Sequence, residues 1–199
     1  MITKTPLKKG SSKLINAWAF YDWANSVYSL VISSAIFPIY YGAIFSDINT
    51  INILGYQVKN TAVITFLTAV AFLIIASFSP LLSGIADCIG NKKKFMKIFV
   101  YIGSLSCIGL YWFELETIYL GLFFYFLAII GLWSSLVFYN SYLPDIAYPE
   151  QQDRASARGF SYGYVGSVIL LLVNLAMIMQ PNLFGIEAVS YTHLRAHET

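Results

Sequence analysis

The stretch SGIADCIGNKKKF, residues 83–95, decides how this chain is read. It sets one aspartate, two glycines and three consecutive lysines between two long apolar runs. The apolar runs fix the solvent. Of 199 residues, 58% are hydrophobic and only 11% charged, and the mean hydropathy is +0.66. A soluble domain carries about 25% charged residues, so this chain cannot cover a globule with a water-compatible surface. Its natural solvent is a lipid bilayer. The polar cluster is then a loop that returns the chain to water between two spans.

Working outward from that loop, a spanning helix needs about 20 mainly apolar residues. Five segments meet this length: 17–44, 61–85, 95–113, 118–139 and 160–180. The expected fold is all-α, a polytopic membrane helical bundle. Residues 1–16 form a basic arm ahead of a transmembrane region at 17–187. Charge placement orients it. Lys4, Lys8, Lys9 and Lys13 precede the first span, Lys92, Lys93, Lys94 and Lys97 follow the second, and Arg154 and Arg158 follow the fourth. These are ten of the 12 basic residues, against Lys59 alone on the opposite side and Arg195 in the tail. Basic residues stay in the cytoplasm, so the N-terminus is expected there.

The last stretch, AVSYTHLRAHET at 188–199, breaks the hydropathy pattern and holds both histidines. It resembles a translated adapter sequence and is set aside from fold reasoning. On that reading His193 and His197 are not ligands and the chain is the N-terminal part of something longer. Cys88 and Cys107 lie outside any CxxC or Cys/His pattern, so no metal site is expected. No GxxxxGK[ST], HExxH or GxSxG motif occurs, so neither ATP-driven transport nor hydrolytic chemistry is indicated. No cofactor or nucleic-acid partner is expected, and the chain is not read as an enzyme.

The opening stretch resembles the signature loop between spans two and three of major facilitator superfamily transporters, G-x-L-A-D-R-x-G-R-K. Ala86, Asp87, Gly90 and Lys92 match, and Ile85 is a conservative stand-in. Ser83, Cys88 and Asn91 depart from it, with Gly84 one position out of register. Gly90 permits a sharp reversal with positive φ, and the lysines hold the loop near anionic headgroups. Asp87 is placed for a positive partner or a helix N-terminus. The resemblance implies a contact tying the transporter's two halves together when it faces outward. Arg154 and Arg158 are candidates to pair with Asp87 or Asp145, or serve only the positive-inside bias.

AWAFYDWANSVYS at 17–29, YNSYLPDIA at 139–147 and DRASARGFSYGYVGS at 153–167 are more specific. They resemble the vacuole-effluxer-like, autophagy-related branch of the superfamily, and the likeness extends to about residue 187. It implies some twelve spans, of which five would be present here, with the C-terminal half missing. It further implies secondary-active transport, with efflux of amino acids or other small polar solutes and possible proton coupling, in the cytoplasmic membrane of a bacterium. A part of this size is not expected to act alone. The competing class is a non-transporting scaffold or the membrane anchor of an enzyme.

At 100° per residue, Asp22, Asn25, Ser26, Ser29 and Ser33 form one polar stripe on the first span. A charge near the bilayer centre costs about 2.5–3.5 kcal/mol, so such a stripe belongs on a pathway. Asp22 itself is open between binding a proton or amine and capping a helix at the interface. Ser134, Phe138, Ser141 and Asp145 form a weaker stripe on the fourth span, with Ser134 and Ser141 as pathway candidates. Gly159, Gly163 and Gly166, with Ser167, share a face of the fifth, where small residues let helices approach closely.

Overall fold

The computed structural model describes residues 7–185 except Asp47 and Leu54, and omits the side chains of Ile85, Ala86, Asp87 and Ile89. The fold is mostly helical, with five helices long and apolar enough to cross a membrane. They are α1 (Ser12–Ile44), α2 (Asn60–Ile89), α3 (Lys92–Trp112), α4 (Ile118–Ile146) and α5 (Pro149–Met179). The tail at 188–199 and Lys4 lie outside the described residues.

Three local features were not anticipated. First, the chain between α1 and α2 forms a two-stranded antiparallel hairpin, β1 (Thr50–Ile53) with β2 (Tyr56–Lys59). Gly55 turns it at φ +91°, its N–H donating to Asn52 Oδ1 at 2.9 Å. Second, α1 begins at Ser12 and α5 at Pro149, so both helices carry extra turns beyond the apolar run. Third, the middle of α1, Tyr28–Ile36, is π-helical. The Phe37 N–H reaches back five residues to Ile32 O, and the Ser34 hydroxyl likewise to Ser29 O at 2.7 Å. Pro38 explains the location. It has no N–H for the carbonyl of Ser34 and its ring crowds that turn, so the wider register absorbs the conflict.

The bundle has two cores. Near the hairpin, Phe37 stacks on Tyr125 at 4.5 Å and meets Phe113 edge-on at 5.5 Å. Phe113 is fully buried there with Ile51, Val63 and Leu122. At the other end Ile15, Ile146, Ala147 and Ala155 form a smaller cluster. Much of the remaining apolar surface faces outward, including Phe66, Tyr101, Leu105 and Ile178. Outward-facing side chains of that kind suit a lipid solvent and would be costly in water.

Two of the basic segments, the N-terminal arm and the start of α5, meet at the second core. The Gly10 N–H donates to Ile146 O at 2.8 Å, Gln151 Nε2 to Gly10 O at 3.3 Å, and Lys9 lies over the Tyr148 ring at 5.5 Å. Gly10 holds φ +79° with the Tyr148 ring crowding its Cβ position at 2.7 Å. A side chain in that backbone region costs about 1–2 kcal/mol. Gly10→Ala is therefore expected to free the arm before α1, lowering the thermal midpoint by about 2–6 °C. Limited proteolysis should then cleave near Lys8 and Lys9. Unchanged midpoint and protection would show that the clamp is not needed.

Candidate functional site: a polar cleft between α1, α4 and α5

The site grows from Asp22. It lies ten residues into α1, about 15 Å along the axis at 1.5 Å per residue. It is therefore not an N-cap. The residue as a whole is 7% exposed. The Ser26 hydroxyl, one turn on, donates to Asp22 Oδ1 at 3.2 Å.

α5 makes the burial possible by having no side chain opposite. A Cβ on Gly163 would stand 2.9 Å from Ser26 Cβ and 3.2 Å from Asp22 Oδ2. One on Gly159 would stand 3.0 Å from Tyr139 Oη and 3.6 Å from Asp22 Oδ2. Gly166 continues the crossing against Trp23 at 3.0 Å. The glycine face thus brings α5 onto α1, and at two positions it also leaves the room in which the carboxylate sits.

α4 supplies the third wall. Trp18 Nε1 donates to Tyr139 O at 3.0 Å, and the two rings stack at 4.3 Å. The Tyr21 hydroxyl donates to Ser135 Oγ at 3.1 Å, and Ser135 passes its own proton to Leu132 O at 2.7 Å. These bonds fix the register of α4 on α1. Between the helices lies a cleft of about 280 Å³. Asp22, Asn25, Ser26 and Ser29 line it from α1, and Asn140 and Ser156 add polar groups from α4 and α5. Trp18, Tyr28, Trp133, Tyr139 and Phe160 give it aromatic walls.

Not every expected residue lines it. Ser33 lies beyond, because the π-helical turns advance less per residue and the 100° stripe does not extend through them. Ser134 and Ser141 belong to another face. Phe138 on that face packs between Phe95 and Phe99 of α3, at 5.7 and 5.8 Å. The Ser141 hydroxyl is spent on Phe138 O at 2.8 Å. Asn140, Tyr139, Trp18 and Ser156 were missed. Asn140 and Tyr139 fall about one helical turn past Leu136 and two past Leu132, a face whose apolar start hides its polar end.

In the loop, Gly90 turns the chain at φ +67°. The Asp87 side chain lies outside the described residues. Gly84 has open space around its Cβ position, so it makes no close helix contact among the described residues. Asp145 pairs with Lys92, at 2.9 Å, rather than with either arginine. Arg158 donates instead to Asn16 Oδ1, and Arg154 is exposed.

Lys92 also donates to Ser141 O at 3.3 Å. Its side chain is 17% exposed and Asp145's 54%. The three lysines are therefore not interchangeable. A cation at the first turn of α3 opposes the helix dipole, and Asp145 offsets this. With one partner mostly in solvent, the pair is worth about 0.5 kcal/mol. Lys92→Ala should lower the midpoint by about 1–2 °C, and Lys93→Ala or Lys94→Ala by less. A double-mutant cycle with Asp145→Ala that returned no coupling would remove the pair from the account.

The model of the family described as "Vacuole effluxer Atg22 like" matches residues 10–155. The chain belongs to the Atg22-like vacuole effluxer family. That match takes in the D-W-A-N-S core, the signature loop and the N-S-x-L-P-D run. Among curated relatives, an uncharacterized MFS-type transporter, YxiO of Bacillus subtilis (strain 168), is 35% identical over 173 residues. That alignment covers 87% of this chain and 39% of the relative. An uncharacterized protein of Aquifex aeolicus (strain VF5) is 28% identical over 174 residues, 85% of this chain and 40% of its own. The chain thus spans about two fifths of the length of the curated relatives it matches. No solved structure matches it. Membership makes this chain an integral membrane protein of the MFS-type transporter family, which is not a family of enzymes.

Proposed function

We propose that the chain forms the N-terminal part of a secondary-active transporter that exports amino acids or similarly small polar solutes, with proton coupling, across the cytoplasmic membrane of a bacterium. The observation that carries the reading is Asp22, a nearly buried carboxylate in an aromatic-walled cleft of a lipid-solvated bundle. Polar and ionisable groups within spans are expensive, and they persist where a pathway needs them. The remaining pathway wall belongs to a second helical half, since sites of this class lie between repeats near the midplane. The basic segments gathered at one end support a cytoplasmic N-terminus. In this reading the Gly90 loop, with Asp87, Lys92, Arg154 and Arg158 around it, gates the cytoplasmic mouth.

The test is flux. Everted membrane vesicles from cells expressing the full coding sequence are energised and supplied with labelled leucine in the outer medium. Saturable accumulation above that of an empty-vector control supports the reading. Its absence at verified expression leaves the scaffold or membrane-anchor class instead. Topology gives an independent check. A reporter fused at Asn60 should read extracytoplasmic and one at Lys94 cytoplasmic, and the reverse pattern would overturn the orientation.

A further inference from the structure

We propose that the corner of the cleft beside Asp22, Tyr139 and Gly159 seats the ammonium group of the solute, the described lining offering no cationic side chain to a carboxylate. The inference rests on the transporter reading and narrows its substrate to amines.

Charge is the first ground. Asp22 is 7% exposed, and no Lys, Arg or His is found among the described residues lining the cleft. A buried charge needs a partner, and the walls do not supply one. A cation arriving with the solute would.

The second ground is the set of unspent oxygens. Asp22 Oδ1 takes the Ser26 hydroxyl, while Oδ2 accepts no hydrogen bond among the described residues. The Tyr139 hydroxyl is buried without a partner, on a residue 4% exposed. Both oxygens lie beside Gly159, 3.6 and 3.0 Å from where its Cβ would stand. An ammonium group brings three donors and no acceptor, so it matches oxygens left over in this way. A carboxylate brings only acceptors and a repelling charge.

The third ground is the wall chemistry. Trp18 stands at the corner, 3.3 Å from the Gly159 Cβ position, and Trp133 and Phe160 line the same cleft; aromatic faces attract a desolvated cation. The same rings offer apolar surface to whatever side chain the amine carries. The volume of about 280 Å³ suits a small solute rather than a peptide.

The experiment separates the two ends of an amino acid. The protein made from the full coding sequence is purified in lipid nanodiscs, and binding of leucinamide, leucine and 4-methylpentanoate is measured by equilibrium dialysis. Leucinamide keeps the amine and masks the acid; 4-methylpentanoate keeps the acid and lacks the amine. Leucinamide is expected to bind saturably and at least as tightly as leucine, and 4-methylpentanoate not at all. Asp22→Asn should weaken leucinamide binding about ten- to a hundredfold, the scale of a lost charge-assisted bond. Tyr139→Phe should weaken it about three- to tenfold. Circular dichroism and elution volume confirm that each variant is folded. Binding of 4-methylpentanoate comparable to leucinamide, leucinamide binding unaffected by Asp22→Asn, or no amine binding by the folded chain would each overturn the assignment. Such failures leave leucine flux in vesicles untouched, so the transporter reading stands or falls separately.

Discussion

Replacing Gly131 with valine is expected to abolish recovery of folded protein. Gly131 lies where α4 crosses α3. A Cβ there would stand 2.7 Å from Gly103 Cα and 2.8 Å from Phe99 O. These are backbone atoms, so no rotamer change relieves the clash and the helices must separate. The crossing is reciprocal, since a Cβ on Gly103 would meet Leu132 N at 3.2 Å. Alanine at 131 would gain about 1 kcal/mol of helix propensity and lose about 1–3 kcal/mol to overpacking, leaving a modest net loss. Valine adds two more carbons to the same gap and loses some of the propensity gain. In lipid the penalty is not softened, because helices associate there through close packing and not through expulsion from water. Separating α3 from α4 would also pull Phe138 from between Phe95 and Phe99 and stretch the Lys92–Asp145 pair. The measurement is the monodisperse fraction by size-exclusion chromatography, with Gly84→Val as the matched control, since Gly84 faces open space. Recovery of Gly131→Val equal to that control would mean the crossing is looser than its geometry.

What the sequence disclosed follows from which signals are one-dimensional. Apolar run length and lysine placement are properties of the chain read along its length. The five spans were therefore legible in it, and the same reading expects ten basic residues on one side. The Gly159, Gly163, Gly166 face is nearly as direct, being set by helical period alone. Its second role at Asp22 was not legible, because it depends on which helix lies opposite. Tyr139, Asn140 and Ser156 were missed for the same reason: a cleft is made by pairs of faces, and a single sequence gives the faces without the pairing. Ser33 failed differently. Projecting at 100° assumes an uninterrupted α-helix, and Pro38 with the Ser33–Ser34 pair was the available warning that α1 changes register. The hairpin did leave a trace, in the β-branched residues Thr50, Ile51, Ile53 and Val58 around Gly55, and span-hunting passed over it.

Asp22→Asn in the full-length protein is expected to move function and stability in opposite directions. Leucine flux should fall about ten- to a hundredfold, since one charge-assisted contact is worth about 1.5–3 kcal/mol and each 1.4 kcal/mol is a factor of ten. The fold should not suffer. Asparagine has nearly the same shape and keeps an oxygen for the Ser26 hydroxyl, which now donates to Asp22 at 3.2 Å. It also removes a charge that costs about 2.5–3.5 kcal/mol to hold within a span. The thermal midpoint should therefore hold or rise. Ser26→Ala provides the contrast. It deletes one hydrogen bond and leaves the charge, so flux should drop less than about tenfold while the midpoint falls slightly. A charge retained at a cost to stability is the mark of a functional group, because selection would otherwise have exchanged it for its amide. The outcome that refutes this is a lowered midpoint with flux intact. Asp22 would then be a buttress of the α1–α5 crossing, and the cleft around it a packing gap between helices.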